Sequence, residues 1–307
     1  MTIAFISHKD CELHDTGNGH PESPARMRAV LDYLPARAIW DRLLQHEAPL
    51  ALTEQLYRVH DRGYVDAVIA AEPAEGRVYL DPDTSMAPHS LNAALRAAGS
   101  VVKGVDLVMS GDTDKVFCCV RPCGHHAEVA RPMGFCMFNN VAVGARYAQD
   151  QYGLGKVAII DFDVHHGNGT EDIFRNDATV FFSSTFQHPF YPGSGADTRS
   201  DHIVNVPLAA GTRGERFRAA FEEQSRPALK AFEPESLFIS AGFDAHEDDP
   251  LAQLCLLEED FAWATGKIRA VADEYARGRL ISVLEGGYSL PALARSVEAH
   301  LQAMLSL

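Results

Sequence analysis

Four apolar segments of this chain end in the same way, and that repetition constrains its fold more than any other feature. Residues 116–120 run into Gly124-His-His, residues 157–160 into Asp161-Phe-Asp-Val-His, residues 237–240 into Gly242-Phe-Asp244, and residues 280–284 into Glu285-Gly-Gly-Tyr288. Short apolar runs cut off by glycine or a carboxylate read as buried strands, with helical segments between them. Alternation of that kind predicts an α/β architecture around a mainly parallel sheet, whose ligands bind at the carboxyl ends of the strands. The four clusters are therefore expected on one rim. Further strands are expected at residues 3–6 and 180–185. Helices are expected from Ser23-Pro24 onward, with Met27, Val30, Leu31 and Leu34 on one face, over residues 91–108, and along the stripe Leu293, Val297, Leu301 and Leu305.

The segment 159–169, Ile-Ile-Asp-Phe-Asp-Val-His-His-Gly-Asn-Gly, carries the densest chemistry. Residues two apart share a side of an extended chain, so Asp163 and His165 emerge together and can ligate one cation. Carboxylate oxygen with imidazole nitrogen suits Zn2+ and, less tightly, Fe2+ or Co2+. A polar turn capping the next helix is the plainer reading, and the density of ionisable groups argues against it. A catalytic zinc takes three protein ligands, and Asp244, behind the turn at Gly242, is the best third candidate. His246 and the acidic residues 247–249 read as solvated loop.

His125 and His126 place two bases side by side at another strand end. Such a pair can take a proton from a water and return it to a leaving group if its two rings are tuned differently. Asp161 and Asn168 are the candidate tuners, because a carboxylate raises the basicity of an imidazole and a carboxamide only orients it. Tyr288 offers a hydroxyl that can donate to an oxyanion. Gly193-Ser-Gly195 is not a nucleophile elbow, and no phosphate-binding or dinucleotide fingerprint occurs.

A length of 307 residues fits one large α/β domain, expected over 1–307. The formal charge of −15 disfavours nucleic acid and anionic membranes as partners and favours cationic substrates. Six cysteines without a CxxC pair point to reduced thiols, hence a cytoplasmic protein. No run approaches the length of a membrane span, and the first residues do not form a signal peptide.

Six ordered motifs resemble the histone deacetylase family over essentially the whole chain. They are His20-Pro-Glu-Ser-Pro-Ala-Arg26, Arg121-Pro-Cys-Gly-His-His-Ala127, Gly134-Phe-Cys-Met-Phe-Asn139, Asp161 to Gly169, Ala241-Gly-Phe-Asp244 and Glu285-Gly-Gly-Tyr288. The resemblance implies the arginase/deacetylase fold, a single domain around an eight-stranded, mainly parallel sheet. It also implies a zinc-dependent amidohydrolase removing acetyl or other acyl groups from amines. Carried over, Asp163, His165 and Asp244 are zinc ligands and His126 is the principal acid/base. His125 assists it, Asp161 orients His125, Asn168 faces His126, and Tyr288 contacts the acyl oxygen. Phe135 and Tyr191 are channel walls, Gly134 offers its carbonyl, and Arg26 lines the inner cavity. The family often binds K+ as well, here through Asp161, Asp163, His165, Ser184 and Thr185. Expected substrates are an acetylated lysine peptide or protein, or a small acylated amine; a homo-oligomer is left open.

Asn168 in place of the Asp of many class I members makes the chain resemble class II. Cys123 departs from the usual Pro, and Leu251 stands where polyamine-selective relatives carry a gatekeeping Glu. The second departure, with no long insertion between Tyr64 and Asp83, favours acetyl-lysine or a general acyl-amine over an acetylpolyamine. A catalytically silent acyl-lysine binding module would not need Tyr288 and the histidine pair, and a binuclear-manganese ureohydrolase would need more Asp ligands.

Overall fold

The structure, a computed structural model, describes residues 2–305. Ten strands occur among them: β1 (Ile3–Ser7), β2 (Leu43–Glu47), β3 (Val78–Asp81), β4 (Thr84–Met86), β5 (Lys115–Cys118), β6 (Val157–Asp161), β7 (Val180–Gln187), β8 (Ile203–Leu208), β9 (Ser236–Ala241) and β10 (Leu280–Leu284). Eight of them form one sheet in the order β2-β1-β5-β10-β9-β6-β7-β8, and every pairing in it is parallel. β3 and β4 make a separate antiparallel hairpin.

Alternate residues of each strand feed different cores, which is why these strands read as unbroken apolar runs. On one face Ile3, Phe5, Ala158 and Ile160 pack with the helices Glu258–Tyr275 and Leu290–Leu305. On the other, Ala4, Ile6, Val157 and Ile159 pack with the helices Ser90–Ser110 and Asn140–Tyr152. A large aliphatic side chain fully buried this way contributes ~1.5–3 kcal/mol. Both faces are covered, so the chain is the single-domain α/β arrangement expected.

Several boundaries differ from the sequence reading. The helix after the first polar loop spans Ala25–Tyr33; Pro24, not Ser23, stands at its boundary, and no side chain caps it. Four strands went unpredicted: β3 and β4 of the hairpin, and β2 and β8 of the large sheet. β2 and β8 lie at the edges of the large sheet, where Gln45, Glu47 and Pro207 are tolerated because one side of the strand needs no partner. No helix among the described residues is long and apolar enough to cross a membrane.

Candidate active site

The strands β5, β10, β9 and β6 are consecutive neighbours in the sheet, so the loops leaving their carboxyl ends share one rim. There Asp163, His165 and Asp244 converge, with one ligand atom of each within 4.8 Å of the others. His165 Nδ1 lies 3.0 Å from Asp163 Oδ1 and 3.1 Å from Asp244 Oδ2. Backbone amides aim the carboxylates: Gly286 N donates to Asp163 Oδ2 at 2.8 Å and Val164 N to Asp244 Oδ1 at 2.9 Å. Side chains at Gly242 or Gly286 would collide with these carboxylates, so glycine is required where the loops close on them.

The electrostatics of the trio call for a cation. Burial, then the neighbouring Asp163, pushes the Asp244 carboxyl up to about 7. Burial alone would lower His165, yet the two carboxylates lift it to about 10. Asp244 Oδ2 is buried, and the His165 Nδ1 beside it is already engaged with Asp163 Oδ1. Two buried carboxylates around one imidazole need positive charge between them. A proton on His165 supplies part of it, and a divalent cation taking that proton's place would supply more. Two oxygens and a nitrogen are also a suitable set for one metal ion with an open position. The residues present fit the metal that the sequence implies.

Beside the trio, the two histidines are tuned in opposite directions. His125 Nδ1 lies 2.9 Å from Asp161 Oδ2, and its Nε2 lies 3.8 Å from Asp163 Oδ1. Burial opposes charge on this ring, but Asp163 and Asp161 overcome it and raise the imidazole well above its ordinary value. His126 Nδ1 pairs with Asn168 Oδ1 at 2.7 Å. The Asn168 amide nitrogen donates to Glu128 Oε1 at 2.8 Å, which turns the carboxamide oxygen toward His126. His126 therefore carries its proton on Nδ1 and keeps Nε2 free. Burial first, then the charges of His125 and His165, pushes it well below its ordinary value, so it is a neutral base.

Tyr288 N donates to Asp249 Oδ2 at 2.7 Å, and Ser289 N reaches the same oxygen at 3.3 Å. Burial, followed by nearby Cys123, raises the phenol well above its ordinary value, so the hydroxyl stays a donor. Arg26 is fully buried, with its guanidinium 5.0 Å from the Tyr288 ring and its Nε donating to Gly287 O at 2.7 Å. Glu22 anchors this region by binding Arg121 through both oxygens at 2.6 Å.

A cavity of about 120 Å3 opens above these groups, with Phe135, Tyr191 and Leu251 among its walls. The Tyr191 ring meets His126 edge-on at 5.2 Å and donates its hydroxyl to Asp83 Oδ2 at 3.1 Å. Gly134 N donates to the other oxygen of Asp83, and Phe135 N to Thr84 Oγ1, so the β3–β4 hairpin fixes both aromatic walls. A side chain at Gly134 would strike the His126 ring. The Gly134 carbonyl, expected to serve a substrate, already faces the thiols of Cys136 and Cys123 at 3.2 and 3.7 Å. Asp161 and Ser184 are register partners on β6 and β7, and Thr185 Oγ1 donates to Asp161 O at 3.4 Å. Two of the five residues implied for K+, Asp163 and His165, belong to the trio itself, and the other three lie on the adjacent ends of β6 and β7.

The acidic loop after Asp244 departs from expectation. His246 is buried and 3.4 Å from Glu258 Oε1, away from the trio, and Asp249 is a buried anchor for Tyr288, not solvated loop. Asp249, Asp83, Glu128 and Glu22 escaped the sequence reading, because their roles consist of holding distant backbone or side chains.

Comparison with known proteins agrees with this geometry. The Histone deacetylase domain family matches residues 20–304. An uncharacterised Synechocystis protein is 38% identical over 99% of both chains. The histone deacetylase-like amidohydrolase of Pseudomonas aeruginosa is 36% identical over 88% of this chain and 73% of its own. The crystal structure of the HDA15 HD domain superposes with a TM-score of 0.93 at 33% identity, covering 99% of this chain and 88% of that one. Matches of this extent make the chain a member of the histone deacetylase family and a hydrolase acting on amides.

Proposed function

We propose that the protein is a zinc-dependent deacylase of lysine side chains or related acylated amines. The observation that carries the reading is the pairing of a neutral base, His126, with a buried trio in which two carboxylates share a single imidazole nitrogen. Zinc held by Asp163, His165 and Asp244 supplies Lewis acidity toward a water and an amide carbonyl; the same donors accept Fe2+ or Co2+.

The remaining work belongs to the chain. His126 Nε2, free of its proton, removes one from the attacking water. Tyr288 donates its hydroxyl to the oxyanion that forms as the carbonyl carbon becomes tetrahedral. His125, held protonated by Asp161, keeps positive charge next to the developing anion. The proton taken by His126 passes to the departing amine. Phe135 and Tyr191 enclose an aliphatic chain and exclude water from it, Gly134 lets the backbone approach closely, Leu251 leaves the mouth apolar, and Arg26 borders the inner end where the freed acid leaves. Asp161, Ser184 and Thr185 provide oxygens for a structural K+. Six unpaired thiols support a cytoplasmic setting.

Acetylpolyamine amidohydrolysis is the second reading, favoured by Asp83 at the cavity wall and by the net charge of −15. The deciding experiment measures kcat/KM of zinc-loaded enzyme on an acetyl-lysine peptide and on N8-acetylspermidine side by side. Preference for the peptide supports lysine deacylation. Preference for acetylspermidine supports the second reading, and inactivity on every acyl-amine tried sinks both.

A further inference from the structure

Cys123, Cys136 and Glu285 form a second cluster whose ligand atoms lie within 4.8 Å of one another, and all three side chains are buried. The two sulfurs are 3.4 Å apart. The Glu285 carboxylate is half used: Oε2 accepts from Gly124 N at 2.7 Å and from His125 N at 3.2 Å, whereas the buried Oε1 has no hydrogen-bond partner. A buried carboxylate oxygen left unpaired beside two thiols asks for a positive ligand. Cys123 also lines the active-site cavity, which gives an ion a way in.

We propose that Cys123, Cys136 and Glu285 bind a second, thiophilic divalent cation, of the Zn2+ or Cd2+ class, in the wall of the catalytic cavity. Two thiolates ~2.3 Å from a tetrahedral zinc stand about 3.8 Å apart, so the observed spacing needs only a small side-chain adjustment. Binding exchanges the two S–H protons for the metal: two thiols and one dication give a dithiolate complex and two released protons, with no electron transferred. The carboxylate is the third ligand and the cavity supplies a fourth position. Sulfur selects this site for soft ions, while the two carboxylates and imidazole of the catalytic trio make a harder set. Both thiols contact the Gly134 carbonyl and Cys123 shares the cavity with Tyr288, so an ion here obstructs the substrate path. Excess zinc is thus expected to inhibit.

The test uses full-length, reduced protein whose free thiols are counted first, and titrates it with Cd2+ while following bound metal and ultraviolet absorption. The expected result is two equivalents, with sulfur-to-cadmium charge-transfer absorption accompanying only one of them. Cys123→Ala should lose that absorption and one equivalent, and Glu285→Gln should keep the absorption but bind at least about tenfold more weakly. The second variant guards against misfolding of the first. Absence of charge-transfer absorption in the wild type, or its persistence unchanged in Cys123→Ala, overturns the proposal. So does loss of both thiols in air without metal, which would identify the pair as a disulfide. Loss of the sulfur-free equivalent alone would count against the catalytic metal site and not against this one.

Discussion

The carboxamide of Asn168 has one way to satisfy its neighbours, and that choice leaves His126 Nε2 without a proton. With its nitrogen on Glu128, its oxygen takes the Nδ1 proton of His126. The ring is held below its ordinary pKa by burial and by the charges beside it, and a bound cation acts in the same direction. Activity requires the unprotonated ring, so kcat/KM should fall as pH drops through a value below 6.5. Asn168→Asp would stabilise the imidazolium and move that acidic limb upward by about one pH unit or more; an unmoved limb in the pH profile would show that His126 is not the titrating base. At Tyr288, replacement by Phe deletes one oxyanion donor and should lower kcat by about 10²–10³-fold, with bound metal unchanged by elemental analysis. Both residues stood out in the sequence as candidates because their chemistry is carried by residue type. Asp249 was not: nothing about an acid in an acidic loop says that it holds the Tyr288 backbone.

At the level of elements, the site depends on loops that approach too closely for side chains. Gly286 lies against the carboxylates of Asp163 and Asp244, and its amide orients Asp163. Gly286→Ala should therefore weaken metal binding by about tenfold or more while the sheet persists, measured as metal affinity alongside circular dichroism. In the helical layer behind the site, His300 ties the last helix to its neighbours, with Nδ1 2.6 Å from Thr265 Oγ1 and Nε2 2.8 Å from Ser282 Oγ. Burial pushes this imidazole down to about 3. A folded pKa below the unfolded one means that its stabilisation is present near neutrality and is lost as pH falls from about 6.5 toward 3. The stability gap between wild type and His300→Gln should accordingly shrink over that window, as read from urea midpoints. The interior strands β5, β6, β9 and β10 were recognisable from apolar runs. The edge strands β2 and β8 were not, because pairing on one side leaves room for polar residues and proline.

For the molecule as a whole, the rim concentrates negative charge that folding alone does not neutralise, and a bound dication links activity to stability. A ligand present at a hundredfold over its Kd adds ~2.7 kcal/mol. Chelation is thus expected to abolish activity and lower the thermal midpoint by several degrees, with both recovering on adding back zinc. An unchanged midpoint, with activity lost, would mean that the metal does not bind this folded site. By itself the sequence determined the alternation of strands and helices, and it singled out the candidate ligands Asp163, His165 and Asp244 and the candidate histidine pair. Periodicity and residue chemistry are local, and local signals survive without coordinates. Only the tertiary structure decided the strand order that brings four loops to one rim, the anchoring of Tyr288 by Asp249, and the meeting of Cys123, Cys136 and Glu285. Those depend on contacts between residues 13 to 165 positions apart, where burial and hydrogen-bond satisfaction select partners that no short window of sequence contains.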